Sequence, residues 1–142
     1  MNYLLDTNHW SFLQRRHPTV VARLQDLPDE VTLYMPVVAQ AELLAGVELA
    51  TDGTRKQQLK QLYDKTLEEC TEILPIDSRV AERFALVFSQ LRRAGHPVET
   101  NDMWVAAIAL VHDLTVVSND AHFCFIHGLK VADWSKPETG GR

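Results

Sequence analysis

Tyr3-Leu4-Leu5-Asp6-Thr7-Asn8 is the stretch whose reading decides the fold. Three apolar residues run straight into an acid, and two residues suited to helix capping follow it. The pattern predicts a short buried strand that ends on Asp6 and turns at once towards a helix. In an open α/β sheet, ligands bind outside the carboxyl ends of the strands. An acid at that place, with no Lys or Arg beside it, is a candidate metal ligand or catalytic acid. It is also a candidate helix N-cap, since Asp, Thr and Asn all favour that position. Alone, the stretch favours the cap, so the other acids of the chain carry the decision.

Working outward, the chain alternates. A short helix from Asn8 to about Arg15 and a second from Pro18 to about Leu27 precede strand two, Val31-Thr32-Leu33-Tyr34-Met35. Pro36 suits the first turn of the next helix, which runs to about Ala50 with Val38, Ala41, Leu44 and Ala45 as its apolar face. Gly46 inside it costs ~1 kcal/mol relative to Ala, so close packing is expected there. A polar helix from Arg55 to about Glu69, with Leu59, Leu62 and Leu67 inward, leads to strand three, Glu72-Ile73-Leu74-Pro75-Ile76. Asp77 or Ser78 then caps an amphipathic helix that Gly95 closes. Thr100 or Asn101 caps the apolar helix before strand four, Leu114-Thr115-Val116-Val117. A short helix from Asp120 to His127 and a fifth strand, Leu129-Lys130-Val131, complete the pattern. Strands separated by helices predict a parallel sheet covered on both faces.

Composition sets the frame. A chain of 142 residues is expected to be one domain that buries about 68–70% of its unfolded surface without disulfide or metal support. Cys70 and Cys124 form no CxxC pattern and read as buried thiols of a reducing compartment. The start Met1-Asn2-Tyr3 lacks a basic leader, and no apolar run approaches the ~20 residues of a membrane span. A cytoplasmic protein without membrane partners is expected. The net charge of −5 argues against coating nucleic acid by charge alone, but leaves room for an acidic metal site that cuts it.

Four acids fall where a parallel sheet would gather them. Asp6 ends strand one, Glu42 opens the helix after strand two, Asp102 opens the helix before strand four, and Asp120 follows strand four. Each has a plainer alternative: Asp6, Asp102 and Asp120 as helix caps, Glu42 as a solvated helix residue. Together at one rim they would repel, and some would take up protons unless a cation were present. Hard oxygen donors without a Cys or His partner suit Mg²⁺ or Mn²⁺ better than zinc. Mg²⁺ retains waters and lowers their pKa, and a phosphodiester is the natural substrate for such a site. Thr7, Asn8, Ser118 and Asn119 are candidates to contact a ligand carboxylate or the scissile phosphate.

These residues carry a resemblance. Leu4-Leu5-Asp6-Thr7-Asn8, Ala41-Glu42-Leu43-Leu44-Ala45-Gly46, Asn101-Asp102-Met103-Trp104-Val105-Ala106-Ala107 and Val116-Val117-Ser118-Asn119-Asp120 resemble the motifs of PIN-domain ribonucleases. With His122-Phe123, Gly128-Leu129-Lys130-Val131 and Asp133-Trp134, the chain looks like the toxin of a VapBC-type toxin–antitoxin pair. The likeness spans residues 3 to 134. It implies a Rossmann-like α/β domain over 1–134, with a central parallel sheet of four to five strands flanked by helices and a flexible tail at 135–142. It also implies Mg²⁺-dependent endoribonuclease action, with transfer RNA as the guess for substrate and a 5′-phosphate and 3′-hydroxyl as products. Metal and catalytic roles carry over to Asp6, Glu42, Asp102 and Asp120, with Asp6 and Asp102 as direct ligands. Ser118 stands where the family often has Thr. The resemblance further implies a homodimer, a heterotetramer or larger with its antitoxin, and an antitoxin tail whose Arg would suit four carboxylates.

Two readings compete with this one. The fold could serve a catalytically weak RNA- or protein-binding module. A phosphatase of the haloacid dehalogenase type would want a second Asp two residues after Asp6, where Asn8 stands. The six histidines show no paired metal spacing, and most are read as surface or helix-end residues, with His122 nearest the site. Trp10 reads as core. Arg15-Arg16-His17 and Arg92-Arg93 read as helix-end charge rather than phosphate contacts.

Overall fold

A computed structural model describes residues 2–137. In chain order the elements are β1 (Asn2–Leu5), α1 (Thr7–Gln14), α2 (Pro18–Gln25), β2 (Thr32–Pro36), α3 (Val37–Leu49) and α4 (Gly53–Glu69). They continue with β3 (Glu72–Leu74), α5 (Ser78–Ala94), α6 (Thr100–His112), β4 (Thr115–Val117), a 3₁₀ turn (Ala121–Phe125) and β5 (Lys130–Ala132). The five strands are all parallel, in the order β3-β2-β1-β4-β5.

β1 is the central strand because it is apolar on both faces. Parallel strands under two helical layers lose the alternation of a half-exposed sheet. Successive side chains still point to opposite faces. Leu4 enters a core with Val80, Val87, Leu91, Ala106 and Ile108 of α5 and α6. Tyr3 and Leu5 enter the other, with Trp10, Val20, Ala39 and Trp134. Each fully buried side chain of this size contributes roughly 1.5–3 kcal/mol. The chain runs from β1 to β2 on one side and returns to β4 on the other. The crevice where strand order reverses lies beyond the carboxyl ends of β1 and β4, which is where such sheets bind ligands.

The caps explain where helices start. Asp52 accepts from Thr54 and Arg55 amides at α4, and Asp77 accepts from the Val80 amide at α5. Gly95 ends α5 at φ 72, a left-handed position open to glycine.

Several expectations shift. α3 does not bury Ala41 and Ala45, which are exposed; it buries Ala39 and Val47, with Leu43 packed between them. A run apolar all round gives no periodicity from which to choose the face. In α4 the fully buried residues are Tyr63 and Thr66, not the leucines. The Thr66 hydroxyl is satisfied by donating to the Leu62 carbonyl and accepting from Gln14. The two thiols differ: burial pushes the half-buried Cys70 thiol up, while Cys124 is exposed. Of the expected tail, 138–142 lies outside the described residues, whereas Arg23 holds the carbonyls of Asp133 and Lys136. Among the described residues, no helix is long and apolar enough to cross a membrane.

Gly46 is also not a packing site. A Cβ built there meets nothing within 4 Å. Gly46→Ala should therefore stabilise the protein by ~1 kcal/mol, seen as a melting temperature about 3 °C higher. An unchanged or lower melting temperature would show that the glycine is needed for its backbone.

Candidate active site

The four acids predicted from the sequence arrive at one place. A cleft of about 110 Å³ is lined by Asp6, Glu42, Asp102 and Asp120, with Thr7, Asn8, Asn101 and Val105. Among the described residues, no Lys or Arg lines it. A larger, mostly apolar groove of about 370 Å³ lies elsewhere, between the end of α5 and the start of α6, and holds no carboxylate.

Local structure explains how each acid is held. The Asp6 amide donates to the Val117 carbonyl at 3.1 Å, which sets the end of β1 against the end of β4. Asp6 then caps α1: its Oδ1 accepts the His9 amide at 2.9 Å. Thr7 and Asn8 do not share in this, because both already lie inside the helix. The cap and ligand readings of Asp6 are therefore compatible, since a carboxylate has two oxygens and the cap occupies one.

Glu42 is exposed on α3, and the Thr7 hydroxyl donates to its Oε1 at 2.8 Å. Thr7 thus orients one of the candidate ligand carboxylates, the first of the two contacts expected of it. Asn8 and Asn119 meet at 3.4 Å across the ends of α1 and β4. Ser118 is buried, and its hydroxyl accepts the Asp120 amide at 3.0 Å. Ser118 thereby shapes the turn that presents Asp120. Asn101, expected only as a cap, lines the cleft itself.

Asp102 and Asp120 are driven apart electrostatically. Burial pushes the Asp102 carboxyl up to about 7, and hydrogen bonding and repulsion from Asp120, with Glu99 and Asp6 beyond, push the same way. Asp102 sits in the first turn of α6, where the helix dipole favours the anion, yet burial and its acidic neighbours win. Asp120 is held low instead, first by the His122 amide at 2.8 Å on its Oδ1. Its Oδ1 also meets His122 Nδ1 at 2.9 Å. The two neighbouring carboxyls are thus shifted in opposite directions.

A divalent cation fits this donor set in its chemistry. The donors are hard oxygens, and among the described residues no Lys or Arg lines the cleft to offset them. Among the described residues, no three acidic, His or Cys side chains are grouped tightly enough to grip an ion unaided. Mg²⁺ does not require that, because it keeps several waters and takes one or two protein carboxylates together with substrate phosphate.

The PIN domain family model matches residues 3–128. The chain belongs to the PIN domain family. Among its relatives, plasmid stability protein StbB of Pseudomonas syringae pv. tomato is 37% identical over 120 residues, covering 82% of this chain and 86% of the relative. Ribonuclease VapC5 of Mycobacterium tuberculosis is 36% identical over 105 residues, covering 72% and 73%. In fold, the chain is similar to the crystal structure of VapBC2 from Rickettsia felis bound to a DNA fragment from their promoter. The TM-score is 0.84 at 25% identity, covering 94% of this chain and 99% of that one. The observed five-stranded parallel sheet agrees with the Rossmann-like PIN domain expected from the motifs.

One residue of this PIN domain is not singled out by its sequence. His9 is fully buried, and it touches Asp6 directly. Its place in the first turn after Asp6 was the available signal, because residues three apart on a helix adjoin.

Proposed function

We propose that this PIN domain is a Mg²⁺-dependent endoribonuclease, the toxin of a toxin–antitoxin pair, and that it cuts RNA to leave a 5′-phosphate and a 3′-hydroxyl. The observation that carries the reading is the convergence of Asp6, Glu42, Asp102 and Asp120 on one cleft without a neutralising side chain. The resemblance to a ribonuclease named VapC5 and to a VapBC2 assembly supports it.

In this reading Asp6 and Asp102 hold the ion directly, while Glu42 and Asp120 complete the site through water or a second ion. A bound divalent ion supplies Lewis acidity, neutralising the carboxylates and phosphate and acidifying water. The chain supplies the rest. The α1 cap keeps Asp6 in place, Thr7 holds Glu42, and the Ser118 turn holds Asp120. Asn8, Asn101 and Asn119 offer uncharged contacts to the phosphate backbone. Transfer RNA is the substrate class we favour, Mn²⁺ is an alternative ion, and the cytoplasm is the expected compartment. The partner is an antitoxin whose Arg enters the acidic cleft, and the working assembly is a homodimer, a heterotetramer or larger with that antitoxin.

Metal removal tests the reading. EDTA should stop RNA cleavage, and Mg²⁺ or Mn²⁺ should restore it with 5′-phosphate ends. Cleavage that persists in EDTA and leaves 2′,3′-cyclic phosphates would overturn it.

A further inference from the structure

His9 is a buried titratable residue that the proposed chemistry leaves without a task. Its ring is fully enclosed and lies edge-on to Phe12 and Trp134, with centroids 5.2 and 6.4 Å away. Both of its nitrogens are engaged. Nδ1 lies 3.2 Å from Asp6 Oδ1, and Nε2 accepts the Trp134 backbone N–H at 3.2 Å.

The second contact decides the first. A backbone N–H can only donate, so Nε2 is the acceptor and the ring proton sits on Nδ1. Asp133 Oδ1 lies 3.5 Å from Nε2, but it already accepts the Ser135 amide and hydroxyl. It is therefore not the partner that sets the tautomer. Nδ1–H then points its proton at Asp6 Oδ1, which also receives the His9 amide. Two donors from one residue hold a single oxygen of Asp6, and Oδ2 is left for the cleft.

We infer that His9 is the positioning residue for Asp6: Trp134, at the end of the sheet, sets the imidazole tautomer, and the imidazole orients the carboxylate that receives the cation. The inference rests on the assignment of Asp6 as a metal ligand. Hydrogen-bonded partners of this kind, standing behind a ligand, typically change metal affinity 10–100-fold when lost. A segment 125 residues away in sequence thereby reaches the candidate metal site through one ring.

Two isosteric variants separate the two contacts. An Asn amide nitrogen can occupy the place of Nδ1, and a Gln amide group the place of Nε2. His9→Asn keeps the donor to Asp6 and loses the acceptor for Trp134. His9→Gln keeps the acceptor and loses the donor. In calorimetric titrations with Mn²⁺ alone, His9→Gln should bind about 10-fold more weakly, and His9→Asn should stay within about 2-fold of the native chain. Equal affinity in His9→Gln, or equal loss in both variants, overturns the inference. Asp6→Asn in the same titration distinguishes the two levels. If it removes binding while His9→Gln does not, only the His9 role falls. If Asp6→Asn binds Mn²⁺ as the native chain does, the metal assignment falls and the His9 role with it. Nitrogen-15 spectra of the native chain give a second readout that needs no variant to fold. The His9 proton should be on Nδ1, and a proton on Nε2 overturns the inference.

Discussion

Asp6→Asn is expected to lower RNA cleavage by about a thousand-fold or more while leaving the fold intact. The activity loss follows from the metal term: an ion at such a site contributes several kcal/mol to the transition state, and each 1.36 kcal/mol is tenfold in rate. An amide oxygen is a poor substitute for a carboxylate on a hard divalent cation. The preserved fold follows from the cap. Asp6 Oδ1 accepts the His9 amide, and Asn caps helices about as well as Asp. Asp6→Ala removes both functions, so it should be inactive and also less stable by ~1 kcal/mol. Cleavage assays alongside thermal melts read both quantities. Native-rate cleavage by Asp6→Asn would sink the assignment. An Asn variant as destabilised as the Ala variant would show that the cap account is wrong.

Asp102→Asn should be equally inactive, yet more stable than the native chain when no divalent ion is present. The native Asp102 carboxyl is raised from 3.8 to about 7. The folded chain thus binds this proton more tightly than the unfolded chain does. The stability gained is whole below about pH 4 and is lost as pH rises through about 7. Asp120 is shifted downwards, so its contribution changes only in acid, outside that window. In EDTA, the native melting temperature should fall between about pH 4 and pH 7 and level off above that, and Asp102→Asn should abolish most of the fall. Asp102 is half-exposed, so solvent screening limits the effect to about 1–2 kcal/mol, or ~3–6 °C. Parallel melting profiles for the two proteins would contradict the origin assigned to the raised carboxyl. Ligation of a cation costs Asp102 its proton, so Mg²⁺ should stabilise the native chain more as pH rises.

Much of this was legible before any coordinates. The unbroken apolar run of β1 marks a strand buried on both faces, since a half-exposed strand would alternate. Asp77 and Gly95 bracket α5 as their capping chemistry requires. The four acids could be placed at one rim because β–α alternation puts the carboxyl ends of parallel strands on the same edge. α3 was less legible: its apolar residues run all round, so the sequence held no period from which to choose Ala39 and Val47 over Ala41 and Ala45. Gly46 looked like a packing device because composition cannot tell open space from a tight contact.

The residues that support the acids were legible least. Thr7 is a candidate to contact a ligand carboxylate or the phosphate, but the sequence does not say which carboxylate, because Glu42 lies 35 positions away. For Ser118, only burial and the turn after β4 bring its hydroxyl to the Asp120 amide. The burial of His9 is not legible locally, because its second partner, Trp134, lies 125 positions away.

Asp6-Thr7-Asn8 remains the measure of the difference. Sequence alone determined that an acid stands at the end of a buried strand, and that three more acids share its rim, because strand and helix periodicity are local properties. It also determined the family, because the motifs are spelled out in order. Only the tertiary structure decided how one carboxylate serves as both cap and candidate ligand. It also decided that burial raises the Asp102 carboxyl while the His122 amide lowers that of Asp120, and that the chain's end reaches its beginning through His9. Those outcomes depend on burial and on contacts between distant segments, and neither quantity exists until the sheet has closed.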